Sequence, residues 1–168
     1  MRVTRRRALE VGGAFLAGFA VSTRGRGADT LDIVMEGSPN GSHVWYSPLG
    51  IHVLPGQMIR WINRDRGNSH TATAYHPTLF DRPRRVPEGA DPWDSGYLQP
   101  GESFSVTLSV PGVYDYYCLP HEHAGMVGRI VVGEVIEAYT TKGVPEAAVR
   151  GLPSVEEILT AGVVEQPS

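Results

Sequence analysis

The sequence predicts an all-β chain folded as a Greek-key, two-sheet β-sandwich, and three observations predict it. Twenty Gly and thirteen Pro fall between short apolar runs, the distribution of a turn-rich β fold. Residues 103–110 alternate apolar Phe104, Val106, Leu108 and Val110 with Ser103, Ser105, Thr107 and Ser109, the period of a half-buried strand. About seven short runs of strand character fit within roughly a hundred residues, as a sandwich closed by Greek-key connections requires.

The elements follow in chain order. Arg5-Arg6-Arg7 precedes an apolar run at 11–21, which has signal-peptide length and is too short to span a bilayer. Thr4-Arg5-Arg6-Arg7-Ala8-Leu9 resembles a twin-arginine export signal. Residues 1–28 are therefore expected to be an export signal, with an uncleaved basic anchor as the alternative. A lipoprotein anchor needs an acceptor cysteine, and the only cysteine is Cys118. Strands are expected at 31–35, 51–54 and 58–63, with Pro55-Gly56 turning the chain between the last two. Another is expected at 71–75. The stretch 76–100 has no strand period and carries Arg82, Arg84 and Arg85. An excursion that long inside a small sandwich reads as a functional loop or as exposed decoration. Pro111-Gly112 then turns the 103–110 strand into 113–118, and 128–132 supplies the last strand. These runs make one domain over 29–133.

The acidic extension 134–168 holds six Glu against Lys142 and Arg150, a net charge of −4. Residues 145–152 and 154–161 each have the composition of a short helix, and Ser154-Val155-Glu156-Glu157 has capping-box form. Packing back onto the sandwich and docking to a partner are both open uses. The whole chain carries −3, but residues 1–27 hold +5 and the remainder −8. No polybasic tract lies beyond the leader, so nucleic acid is not an expected partner.

The lone thiol concentrates the chemistry. An exported chain with one Cys has no internal disulfide, so Cys118 is intermolecular, inert in the core, or reactive. Strand parity puts Tyr114, Tyr116 and Cys118 on one face and Asp115 and Tyr117 on the other. If the tyrosines point inward, so does Cys118, at the strand's end. His121 and Met126 follow it on a loop pinched by Pro120 and Gly125. Thiolate and thioether suit Cu(I), imidazole suits Cu(II), and two imidazoles with one thiolate and a distant thioether make a blue-copper set. The loop supplies one imidazole from His121, with His123 as its local rival. The second imidazole must come from elsewhere.

Cys118-Leu-Pro-His121-Glu-His-Ala-Gly-Met126-Val-Gly resembles the copper loop of the cupredoxin family, in particular plastocyanin, pseudoazurin and halocyanin, written C-x-x-H-x-x-x-x-M. In that family the second histidine follows a strand ending in Trp-x-Asn. Here Trp61-Ile62-Asn63 is followed by His70 in Gly67-Asn68-Ser69-His70-Thr71. The resemblance covers about 31–132. It implies a β-sandwich, one type 1 copper cycling between Cu(I) and Cu(II) on His70, Cys118, His121 and Met126, and one-electron transfer between protein redox partners. Many relatives place Asn after the upstream histidine, where its side chain ties the two ligand loops together. Thr71 stands there in this chain, and its hydroxyl can make one such bond with less reach. His43, His52 and His76 read as surface or capping histidines, His76 the nearest to the metal loops.

The expectation is thus an exported, periplasmic or extracellular blue-copper carrier, monomeric, with no small-molecule substrate and membrane contact only through an uncleaved leader. A copper-delivery or copper-buffering protein uses the same ligands and is the alternative. An enzyme is not expected. With His, Cys, His and Met all engaged, the metal has no open position for substrate, and a binuclear centre needs a second loop cysteine.

Overall fold

Nine strands and two short helices form among the described residues, which are 30–40, 42–135 and 139–166 of a computed structural model. The leader expected at 1–28 lies outside them. The strands are β1 (Leu31–Gly37), β2 (Val44–Ser47), β3 (Gly50–Val53), β4 (Gln57–Asn63), β5 (Thr73–Ala74), β6 (Ser103–Leu108), β7 (Gly112–Tyr117), β8 (Val127–Val132) and β9 (Val163–Val164). One sheet has the order β2-β1-β4-β6 and the other β5-β7-β8-β3-β9. β1 pairs with β4, and β3 with β8, in parallel; the other neighbouring strands run antiparallel. The chain changes sheet at every connection from β2 to β7, the last at Pro111-Gly112, so none of these sequence neighbours are sheet neighbours. That is the Greek-key sandwich the strand pattern predicts.

Period-two alternation builds the core. Ile33 and Met35 from β1, Ile59 and Trp61 from β4, Tyr114 and Tyr116 from β7, and Ile130 and Val132 from β8 meet between the sheets. Burying each such side chain contributes about 1.5–3 kcal/mol. Trp61 packs edge-on against Tyr116, ring centroids 5.2 Å apart and planes at 77°, and it lies 5.5 Å from Trp93. β6 behaves as its alternation predicts, with Phe104 and Val106 partly buried and its Ser and Thr exposed.

The outer face of the second sheet is also covered. Asp115 and Tyr117, on the face of β7 opposite Tyr116, are wholly buried. The excursion 76–100 covers part of that face. Arg85 donates from its main chain to Tyr75 O and accepts from Asp115 N, while Val86, Trp93 and Leu98 enter the core. This stretch is structural packing as well as loop. His76, read as a surface or capping residue, is buried within it, its Nδ1 2.7 Å from Thr78 Oγ1 and accepting from Thr78 N.

The extension supplies the remaining cover. Its two helices, α1 (Glu146–Gly151) and α2 (Val155–Ala161), fall where the sequence places them. Ser154 Oγ accepts from Glu157 N at 3.1 Å, a working N-cap,. β9 then pairs with the edge of β3, so the extension packs back onto the sandwich. Among the described residues no helix is long and apolar enough to cross a membrane.

Candidate metal centre

Two segments from different sheets meet at one end of the sandwich. β4 ends at Asn63, whose side chain organises the turn that follows. Its Nδ2 donates to Asn68 O and Leu98 O, and its Oδ1 accepts from Asp65 N. His70 leaves this turn wholly buried, with its main chain paired to Leu98. β7 ends at Tyr117 and delivers Cys118 as the next residue. The chain then folds back on itself: Cys118 N donates to Met126 O at 3.0 Å, and Met126 N to His121 O at 3.1 Å. A single 3-10 turn, Glu122–Ala124, fills the bend, and Gly125 closes it at φ 86°, a conformation open to glycine,. A Cβ on Gly125 would stand 3.3 Å from Ala147 O, so α1 rests directly on this bend.

The donors converge. Cys118 Sγ is 3.6 Å from His70 Nδ1 and 3.4 Å from His121 Nδ1, and donor atoms of all three residues lie within 4.8 Å of one another. A first-row ion bonded at about 2.0–2.3 Å to nitrogen and sulfur in trigonal geometry sets donor spacings of about 3.5 Å. The cluster therefore fits a soft, trigonal metal site. His70 and Cys118 are buried and His121 half-buried, while His123 is exposed and outside the cluster. Met126 is wholly buried at the end of the bend.

Thr71 joins the two segments. Its hydroxyl accepts from Leu119 N at 2.8 Å, and its amide donates to Cys118 Sγ at 3.4 Å. The shorter side chain reaches because Tyr46 Oη donates to Thr71 O and Thr73 Oγ1 lies 2.8 Å from Thr71 Oγ1, fixing residue 71 close to the cysteine loop. Beneath the bend, buried Glu122 accepts from Tyr75 Oη at 2.9 Å and pairs with Arg82. Asp65 and the Arg82–Glu122 pair were not singled out from sequence. The signal for Asp65 was the Asn63-x-Asp65-x-Gly67 spacing, a run of turn-forming side chains just ahead of His70.

The electrostatics of the site are set chiefly by burial. Burial lowers His121, with neighbouring His70 adding to the effect and Asp65 opposing it, so its ring is neutral and able to ligate,. Burial alone raises the Asp65 carboxyl, but bonds from Asn68, the Gly67 amide and His70 outweigh it and hold it below the usual carboxylate value. Burial pushes the Cys118 thiol up to about 11, against about 8.5 for a free thiol. The metal-free fold thus keeps a proton that the unfolded chain releases above about pH 8.5, and its stability falls as pH rises from there to about 11. The expected loss is about 3 kcal/mol, read by urea unfolding of metal-free protein at pH 8 and 11. Cys118→Ala should remove that part of the dependence; an unchanged slope in the variant contradicts it.

A two-sheet sandwich that gathers imidazole, thiolate and imidazole at one end defines a class, the cupredoxins, which bind copper and carry electrons. Residues 33–133 match the family model for copper binding proteins of the plastocyanin/azurin family, and the chain belongs to that family. It is 37% identical over 124 residues to the chloroplastic plastocyanin of Oryza sativa subsp. indica, covering 71% of this chain and 75% of that protein. It is 34% identical over 105 residues to the plastocyanin of Solanum crispum, covering 59% of this chain and 97% of that one. Among solved structures, a pseudoazurin from Sinorhizobium superimposes with a TM-score of 0.56 at 28% identity, covering 79% of this chain and 95% of that chain.

Proposed function

We propose that this chain is an exported electron carrier whose single copper would be held by His70, Cys118, His121 and the thioether of Met126. Residues 1–28 serve as the export signal, 29–133 as the copper domain and 134–168 as the acidic extension. One copper ion held by these residues supplies a single-electron Cu(I)/Cu(II) couple. His70 and Cys118 fix the buried side, and His121 gives the half-exposed edge at which a protein redox partner meets the site.

The observation that carries the reading is that both ligand loops are braced independently of the metal. Thr71 ties one to the other, the Cys118–Met126 backbone bond closes the bend, and Glu122 anchors it from below. Donors held this way keep their positions when the charge on the metal changes, which suits repeated electron transfer. A delivery protein needs one oxidation state held loosely enough to hand over.

Repeated oxidation and reduction in the presence of a competing copper chelator is therefore expected to leave the protein loaded. Stoichiometric release of copper on reduction at neutral pH would make delivery the better account. His121→Gly is expected to slow electron exchange with a soluble protein partner more than His123→Gly, measured by stopped flow. Equal slowing would remove His121 as the exit edge.

A further inference from the structure

Behind His70 lies a carboxylate built into the fold. Asp65 Oδ2 is 2.9 Å from His70 Nε2 and accepts from Asn68 Nδ2 at 2.8 Å, while Oδ1 accepts from Gly67 N at 2.8 Å. The side chain is 5% exposed and the His70 ring 0%. Its main chain is pinned as well, Asp65 N reaching Met35 O and Asn63 Oδ1. The carboxylate fills the space beside Gly37, where a Cβ would stand 2.1 Å from Oδ2. Any larger residue at 37 would displace it.

The chemistry follows from this placement. Nδ1 of His70 faces Cys118, so the ring's proton belongs on Nε2, where Asp65 accepts it. A carboxylate on the far nitrogen fixes tautomer and ring orientation and makes the imidazole a stronger donor. Its negative charge acts through a buried path, where screening by water is weak. Both effects favour the more highly charged state of the bound ion.

We propose that Asp65 is a positioning residue that sets the redox poise: it fixes His70 with Nδ1 toward Cys118 and biases bound copper toward Cu(II). The inference rests on His70 being a ligand, and the test separates the two. Asp65→Asn keeps an acceptor oxygen and removes the charge. In the full-length, copper-loaded chain it is expected to retain the blue band and to favour Cu(I) about tenfold more, an upward shift of about 59 mV by voltammetry for a one-electron couple. Asp65→Ala removes acceptor and charge and is expected to weaken copper retention a further 10–100-fold. A retained blue band with an unmoved potential in Asp65→Asn overturns the role of Asp65 and leaves the ligand assignment standing. No blue band in the unaltered chain overturns both. The unaltered reduced protein gives a check that needs no variant to fold: nitrogen-edited NMR is expected to show a slowly exchanging proton on His70 Nε2. A proton on Nδ1 instead overturns the proposal.

Discussion

Cys118→Ser is expected to give a folded sandwich that has lost its intense visible absorption and its reversible redox couple. A hydroxyl oxygen is a hard ligand and does not replace the thiolate whose soft character suits Cu(I) and whose charge transfer gives the colour. The fold survives because the core is made by Ile33, Met35, Ile59, Trp61, Tyr116 and Ile130, none of which depends on the Cys118 thiol. The serine oxygen takes the place of Sγ opposite the Thr71 amide, so the buried hydroxyl has a donor,. Visible absorption and voltammetry read the loss, and far-UV circular dichroism reads the fold. A blue band that persists in the variant removes Cys118 from the site.

The largest stability effect is expected from Asp115→Ala. This wholly buried carboxylate takes Arg85 Nε at 2.7 Å and Arg129 Nε at 2.7 Å, with Arg129 Nη2 at 3.0 Å. The same two arginines hold the extension, Arg85 on Thr140 O and Arg129 on Pro153 O. One side chain therefore fastens the 76–100 excursion, β8 and the extension to the outer face of β7. Removing it leaves buried Arg85 and part-buried Arg129 without their counter-charge, and breaking such a network costs about 3–5 kcal/mol. For a chain of this size that lowers the thermal midpoint by roughly 10 °C. The metal ligands lie off this network, so the blue band should remain. A loss below about 1 kcal/mol in urea unfolding would show that the arginines find other acceptors.

Much of this molecule is legible in its sequence, and the limits have physical causes. Alternation along residues 103–110 marks β6, Pro-Gly pairs mark the turns, and Ser154 marks the start of α2. β2 and β9, four and two residues long, are not among the expected strands. Parity sorts Tyr116 from Tyr117 but says nothing of what covers each face, so the burial of Asp115 and Tyr117 appears only in the structure. The Cys118–Met126 loop is readable from ligand chemistry alone. His70 is not, because a lone histidine after a turn carries no local mark; it needed the family resemblance. From sequence Thr71 can make one bond between the ligand loops with less reach, and whether it does depends on how closely two loops approach, a tertiary quantity.

The cover over the second sheet also decides who can stand where. Tyr117 adjoins Cys118 in the chain, and its ring centroid lies 4.4 Å from that of Tyr75. Ala148 of α1 and Val127 seal the pair from solvent. A visiting protein can touch the rim at His121, yet at this flank it is held off by a helix about 10 Å thick. Tunnelling weakens steeply with every added ångström, so on the proposed carrier reading the extension would act as insulation laid along one side of a conductor. Among the described residues His121 is left half-exposed at that end, and on the proposed carrier reading a partner would arrive end-on.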